Sequence, residues 1–285
     1  MTKIFCWLLA CFCGLANANA AGTRFMVEQG TTQIEVFAEG SGPVIVFLPS
    51  LGRGAEDYAE VSHLLAADGF RVLRPQPRGI GASAGPLETL TLHDFAADIA
   101  AVITHEQSGP AIVVGHAFGN FVGRMLATDR PDLVRGLVMA AASAGKVPSG
   151  VTEKPISDAV REAIDGSGNP EFSETQRLTY LQLAFFAPGN DPRVWLGGWY
   201  PATHDAEAAA TAATPLDLWF AGGGTRILDL QAEDDTVAPR KFAGVMKAAL
   251  GDRVQVVVVP HAGHALIPEQ PQAVAGAIAT FARAP

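Results

Sequence analysis

Three short segments of the sequence carry residue types that could act together on a carbonyl group. Residues 231–239 (QAEDDTVAP) place acids directly after one apolar run, and residues 260–265 (PHAGHA) place histidines directly after another. A histidine that is oriented by a carboxylate can take a proton as a general base. The third segment, residues 115–119 (GHAFG), follows an apolar strand and precedes a helical pattern. Its two glycines have the spacing of a sharp strand-to-helix turn.

The centre of this turn holds an alanine where a nucleophilic serine is the usual residue. Ala117 lies between Gly115 and Gly119, and its methyl group cannot attack a carbonyl or form an acyl-enzyme. Glycine is still needed at both positions, because the turn is strained and a Cβ at either one would collide with neighbouring backbone. The sequence therefore predicts that the turn is kept and its hydroxyl is lost.

The order of turn, acid and histidine, each after an apolar strand, resembles that of the α/β-hydrolase superfamily. The similarity covers nearly all of residues 24–285. Residues 47–52 (FLPSLG) are similar to the family's His-Gly loop, and residues 77–83 (PRGIGAS) are similar to its Arg-Gly-x-Gly-x-Ser loop. The chain departs from the family at Ala117 and at Pro49-Ser50, which stands in place of His-Gly. The resemblance implies an α/β fold with a mostly parallel, doubly wound sheet.

The resemblance also implies roles for the acid and the histidine. His264 is the expected base, preferred to His261 because Gly263-His264 matches the family's Gly-His. Asp235 is the expected orienting acid because Asp-Thr-Val-Ala-Pro matches the family's Asp-x-Val-x-Pro spacing. Asp234 remains the alternative acid.

Two backbone N–H groups are the expected oxyanion hole. Phe118 follows the turn position and opens a helix, whose dipole favours a negative charge there. By similarity to the family's loop, Leu51 supplies the second N–H. No metal-ligand spacing is evident among the histidines, and we expect neither a metal nor another cofactor.

The elements that must position these residues follow from the pattern of apolar runs. Strands and helices alternate along the chain, as in a doubly wound sheet. The alternation stops over residues 148–224, which have helix-like segments and no clear buried strand. We predict a helical cap there, with the α/β-hydrolase core formed by residues 21–147 and 225–285.

The predicted cap is rich in aromatic residues. Three of the four tryptophans of the sequence lie in it, together with several phenylalanines. Most such residues would anchor the cap, but ligand sites are also mostly apolar. We expect Trp195, Trp199 and Phe186 to contact the substrate, and a small apolar molecule to be that substrate.

The first 20 residues read as a secretory signal: Lys3, an apolar stretch over residues 4–15, and Ala18-Asn19-Ala20 as a cleavage site. The apolar stretch is too short to span a bilayer, which takes about 20 residues. We expect a periplasmic or secreted protein, with lipid attachment at Cys11 as a weaker alternative. Loss of Lys3 changes the net charge from −9 to −10, which argues against a nucleic-acid partner.

The leading functional hypothesis is an enzyme that acts on a small apolar ester or carbonyl-type substrate. His264 and Asp235 would form a general-base dyad, with no serine nucleophile at Ala117. One alternative is a non-catalytic secreted protein that binds a ligand on the same fold. A third possibility is a serine-to-alanine variant of an ordinary serine esterase.

Overall fold

The computed structural model describes residues 22–284. The predicted signal segment, residues 1–20, and its possible lipid-attachment cysteine lie outside this range. Residues 22–284 contain one eight-stranded sheet. Its strands are β1 (Thr23–Gln29), β2 (Thr32–Gly40), β3 (Val44–Leu48), β4 (Arg71–Pro75), β5 (Ala111–His116), β6 (Val134–Ala140), β7 (Ile227–Ala232) and β8 (Val254–Val259).

The strand order is β1-β2-β4-β3-β5-β6-β7-β8. β2 pairs antiparallel with both β1 and β4, while every pair from β4 to β8 is parallel. This is the mostly parallel sheet that the sequence predicts, with its opening antiparallel pair at one edge. The carboxyl ends of β3, β5, β7 and β8 meet at one edge of the sheet, so the loops that follow them can share a site.

Helices cover both faces of the sheet. The α-helices are α1 (Ala59–Ala67), α2 (Leu92–Glu106), α3 (Gly119–Asp129), α4 (Asp158–Ser167), α5 (Glu174–Ala184), α6 (Pro201–Ala213), α7 (Leu216–Trp219), α8 (Arg240–Leu250), α9 (Leu266–Glu269) and α10 (Pro271–Arg283). Short 3-10 helices occur at Ala55–Tyr58, Pro131–Leu133, Pro192–Trp195 and Gly251–Arg253. Side chains of α2, α3 and α8 share one apolar cluster with one face of the sheet, and those of α1 and α10 share a second cluster with the other face.

The central strands are apolar because both of their faces are covered. All residues of β3 and β5 are buried, as expected for a parallel sheet between two helical layers. The helices begin at recognisable caps. Thr91 and Asp94 form a capping box at the start of α2, which satisfies two backbone N–H groups that the helix leaves free.

The segment between β6 and β7 is helical, as predicted for residues 148–224. It contains α4 to α7, and among the described residues of this range there is no strand. Ser157 and Ser173 accept backbone N–H groups at the starts of α4 and α5. These helices enclose an apolar cluster of their own, which includes Leu181, Phe185 and Trp195. Within residues 22–284, no helix is both long enough and apolar enough to cross a membrane.

Candidate active site

The turn between β5 and α3 has the geometry of a nucleophile-bearing turn. Ala117 has a φ of +46°, in the left-handed region that non-glycine residues adopt only at a cost in energy. A Cβ at Gly119 would overlap the carbonyl oxygen of Leu48, and one at Gly115 would overlap the backbone of Asn120. Both glycines are therefore required by the close approach of backbone, as the sequence predicts. The half-buried Ala117 side chain occupies the position that a nucleophile would have.

His264 and Asp235 form a buried pair at the ends of β8 and β7. The His264 Nδ1 atom lies 3.0 Å from Asp235 Oδ2 and 3.1 Å from Oδ1. The Asp234 side chain is exposed, so the structure brings Asp235, the preferred acid, to the histidine. With Nδ1–H donating to the carboxylate, Nε2 is the ring nitrogen that can accept a proton.

The Asp235 carboxylate is itself held in place by its own loop. Its Oδ1 atom accepts the backbone N–H groups of Val237 and Ala238, at 2.8 Å and 2.7 Å. The side chain of Asp235 is 1% exposed and that of His264 is 5% exposed. Because both side chains are buried and the carboxylate has backbone partners, the Asp235 carboxylate is held against the imidazole of His264.

The two predicted oxyanion donors follow β3 and β5. Within the described residues, neither the Leu51 N–H nor the Phe118 N–H donates a hydrogen bond to the protein. Phe118 directly precedes α3, which begins at Gly119, so the helix dipole adds to the attraction of its N–H for a negative oxygen. Their role as an oxyanion hole stays a prediction.

A chain of three hydrogen bonds connects the oxyanion loop to the base. The Ser50 N–H donates to Tyr58 Oη, and Tyr58 Oη lies 2.9 Å from His116 Nδ1. The His116 Nε2 atom lies 2.8 Å from the carbonyl oxygen of His264, which fixes a proton on Nε2. Burial and the neighbouring His264 lower the pKa of His116 to about 3. His116 is therefore neutral, with Nδ1 accepting the Tyr58 hydroxyl.

The end of cap helix α5 contacts the loops that carry both members of the dyad. Phe185 accepts the backbone N–H of Ala265 at 2.8 Å, and Thr236 Oγ1 donates to the carbonyl oxygen of Ala184 at 2.9 Å. The Phe185 ring centroid lies 5.8 Å from that of His264. This end of the cap is a wall of the site, fixed to both loops.

Glu269 makes a second connection between the cap and the histidine loop. One carboxylate oxygen accepts the Gly263 N–H, and the other accepts the Ala187 N–H, each at 2.8 Å. Asn190 also donates to this carboxylate. Burial raises the pKa of Glu269, and the hydrogen bonds from Asn190 and the two N–H groups oppose that rise. The backbone that presents His264 is thereby tied to the cap.

The three aromatic residues predicted to contact a substrate lie close together in the cap. Trp195 and Phe186 are buried, and Trp199 is half-buried. Trp195 has its ring centroid 5.9 Å from that of His116. The Arg53 guanidinium lies 4.6 Å from the ring centroids of both Trp195 and Trp199, and it pairs with Asp57 in the core. A substrate contact at these aromatic residues stays a prediction.

Some residues around the site escaped the sequence analysis. Tyr58, Glu207 and Glu269 carry no motif. Tyr58 contacts His116 across 58 positions and Glu207 contacts Gly52 across 155, whereas Glu269 lies 6 positions from Gly263. Among residues 22–284, no cluster of three or more His, Cys, Asp or Glu side chains could hold a metal ion.

Comparison with known proteins identifies the family. A family model described as the alpha/beta hydrolase family matches residues 45–277. The chain belongs to the α/β-hydrolase family. The match includes the turn, the acid and the histidine described above, and the sheet order and helical layers agree with it.

Several known relatives of this chain carry hydrolase names. A pyrethroid hydrolase from Sphingobium wenxiniae is 27% identical over 259 residues, which cover 85% of this chain and 88% of that protein. A 2-(acetamidomethylene)succinate hydrolase from Mesorhizobium japonicum is 32% identical over 124 residues, covering 42% of this chain and 44% of that protein. The structure of an esterase from Exiguobacterium antarcticum superimposes with a TM-score of 0.74 at 19% identity, covering 93% of this chain and 100% of the esterase, which supports the fold. The family and its relatives support the assignment of this chain as a hydrolase.

Proposed function

We propose that this protein hydrolyses a small apolar ester, or a related carbonyl compound, without forming a covalent intermediate. The observation that carries the proposal is the buried contact between His264 Nδ1 and Asp235, which lie on loops at the same edge of the sheet as the Ala117 turn. A protein that only binds a ligand has little use for such a pair, because burying a carboxylate beside an imidazole costs free energy. The hydrolase names of the relatives add support.

The proposed reaction uses water as the nucleophile. His264 Nε2 takes a proton from water while the water oxygen forms a bond to the carbonyl carbon. The carbonyl π electrons move to oxygen, and the N–H groups of Leu51 and Phe118 donate to the resulting oxyanion. The oxyanion then collapses, the bond to the leaving oxygen breaks, and the protonated His264 returns its proton to that oxygen. Asp235 keeps the proton on Nδ1 and stabilises the imidazolium throughout.

Ala117 is the reason for proposing the water mechanism. A methyl group cannot carry an acyl group, and it is smaller than the serine side chain by one oxygen atom. The oxyanion donors are backbone N–H groups, so they do not depend on the side chain at position 117. We also propose that the protein acts in the periplasm or outside the cell, on the basis of the signal-like residues 1–20.

The test compares the parent chain, which has Ala117, with His264→Ala on a panel of aryl esters, lactones and epoxides. We expect at least one substrate whose turnover falls by about 100-fold or more in His264→Ala, the usual size of a general-base contribution. A serine-reactive fluorophosphonate probe should not label the parent chain and should label Ala117→Ser. If no substrate is turned over faster by the parent chain than by His264→Ala, the enzyme proposal fails. Labelling of the parent chain would mean that another side chain acts as nucleophile.

A further inference from the structure

The backbone of the oxyanion loop is held by cap helix α6 at Gly52. The Gly52 N–H donates to Glu207 Oε2 at 2.7 Å, and the Gly52 carbonyl oxygen accepts the Tyr200 N–H at 3.0 Å. A Cβ at Gly52 would lie 2.7 Å from the Cβ of His204. Tyr200, His204 and Glu207 lie at the start and along the first two turns of α6, so this helix packs directly on the loop.

Residues 50–53 form a tight turn whose shape depends on this contact. The Arg53 N–H donates to the Ser50 carbonyl oxygen at 3.0 Å. Gly52, at the third position of the turn, has a φ of +63°. Leu51, at the second position, does not have a positive φ. This pattern is typical of a type II turn, which differs from type I by a flip of the peptide between its second and third residues. That peptide carries the Gly52 N–H, so an acceptor at Glu207 selects one of its two orientations.

The peptide that carries the Leu51 N–H lies between two fixed neighbours. On one side, the Ser50 N–H donates to Tyr58 Oη at 2.9 Å. On the other side, the Gly52 N–H donates to Glu207. Since each peptide group is planar, holding the peptides before and after leaves little rotation for the Leu51 N–H. The carbonyl oxygen of the same peptide, that of Ser50, accepts the Arg53 N–H inside the turn. Because the N–H and C=O of a trans peptide point in opposite directions, the Leu51 N–H points away from the interior of the turn.

Glu207 is an unusual residue to use for packing alone. Its side chain is buried, and within the described part of the chain no Lys, Arg or His forms an ion pair with it. Burial raises the pKa of Glu207 to about 8, and the hydrogen bond from Gly52 opposes this rise only in part. A buried carboxyl group without a cationic partner costs free energy, and the hydrogen bond from Gly52 offsets part of that cost, since an apolar residue would leave the buried Gly52 N–H without an acceptor.

We propose that Glu207 is a positioning residue of the active site: through Gly52 it orients the Leu51 N–H toward the oxyanion. The cap then completes the catalytic site instead of only covering it. This inference rests on the proposed function, because it assigns the Leu51 N–H to the oxyanion hole.

The experiment compares Glu207→Leu, which removes the acceptor, with Glu207→Gln, which keeps an acceptor oxygen on a side chain of the same length. Both are made in the parent chain and in Ala117→Ser. In the parent chain, kcat and KM are measured on the best aryl ester. In Ala117→Ser, the readout is the second-order rate of labelling by a fluorophosphonate, whose phosphoryl oxygen needs the same two N–H groups.

We expect Glu207→Leu to lower kcat and the labelling rate by about 100-fold, the usual loss when one oxyanion donor is removed, with KM changed by less than about threefold. Glu207→Gln should restore both rates to within about threefold of the parent. Glu88→Leu, at an exposed loop position, is the control. Glu207→Met, which also lacks an acceptor, replaces Glu207→Leu if that variant does not fold.

The outcomes separate this inference from the proposed function. If the parent chain turns over no ester but Glu207→Leu slows the labelling of Ala117→Ser, the positioning role stands and the water mechanism falls. Equal labelling rates with and without Glu207→Leu would overturn the positioning role, as would equal losses in the Leu and Gln variants. Failure of Ala117→Ser to react with the probe at all would overturn both.

Discussion

The buried carboxyl of Glu207 predicts a specific dependence of stability on pH. Its side chain is buried with the Gly52 N–H as its hydrogen-bond donor, and burial raises its pKa from 4.5 to about 8. Between these values the folded protein binds a proton that the unfolded chain has released. The free energy of unfolding therefore falls as pH rises through this window. The stabilisation is complete below pH 4.5 and is lost as pH passes about 8.

The size of the effect follows from the same two values. Each pH unit between the two pKa values corresponds to about 1.4 kcal/mol, so the full loss is about 5 kcal/mol. Most of that loss, about 3 kcal/mol, falls between pH 5.5 and pH 9. Glu207→Gln carries no titrating group at this position. Its free energy of unfolding relative to the parent chain should therefore rise by about 3 kcal/mol over this interval.

The assay is equilibrium unfolding by urea at a series of pH values for the parent chain and Glu207→Gln. Taking the difference between the two proteins removes the titration of other buried groups, such as His116 and Asp229, whose pKa values are about 3 and about 6. Glu88→Gln is the control, because it removes an exposed carboxyl group. A difference that stays constant to within about 0.5 kcal/mol from pH 5.5 to pH 9 would refute the argument that Glu207 is buried as an acid.

Three further predictions concern the elements around the site. Gly119→Ala should lower the free energy of unfolding by about 3 kcal/mol or more, because its Cβ would overlap the Leu48 carbonyl oxygen; urea unfolding measures this. Tyr58→Phe should cost about 1–3 kcal/mol by leaving the buried Ser50 N–H without its acceptor, and Tyr58→Leu, which also loses the ring, should cost more. Burial lowers the pKa of His116 from 6.5 to about 3. As pH drops from 6.5 toward 3 the unfolded chain gains a proton first, so the free energy of unfolding should fall over this range. His116→Gln should make that fall smaller, and an acid titration followed by circular dichroism measures it.

Much of the fold could be predicted from the sequence because its signals are local. The fully apolar run 44–48 becomes a strand that is buried on both faces, and the loss of strand pattern after residue 148 marks the helices α4 to α7. The spacing of Gly115 and Gly119 predicts a strained turn because close backbone packing excludes a Cβ there. Each of these inferences needs only neighbouring residues.

The choice between Asp234 and Asp235 shows where local reasoning ends. Both acids follow β7 in the sequence, and only spacing within the resemblance favours Asp235. The structure gives the physical reason: the Asp235 side chain is buried, and its carboxylate accepts the N–H groups of Val237 and Ala238 and contacts Nδ1 of His264. The Asp234 side chain, one residue earlier, is exposed to solvent.

The sequence by itself thus determined the turn, the order of acid and base, and the loss of the serine hydroxyl. Only the tertiary structure decided which distant residues hold them in place. Glu207 meets Gly52 across 155 positions of the chain, and His116 meets the carbonyl of His264 across 148. The first contact forms when cap helix α6 packs on the loop after β3, and the second when the ends of β5 and β8 meet at one edge of the sheet. No periodicity or short motif encodes either contact, because the partners become neighbours only through the packing of the whole chain.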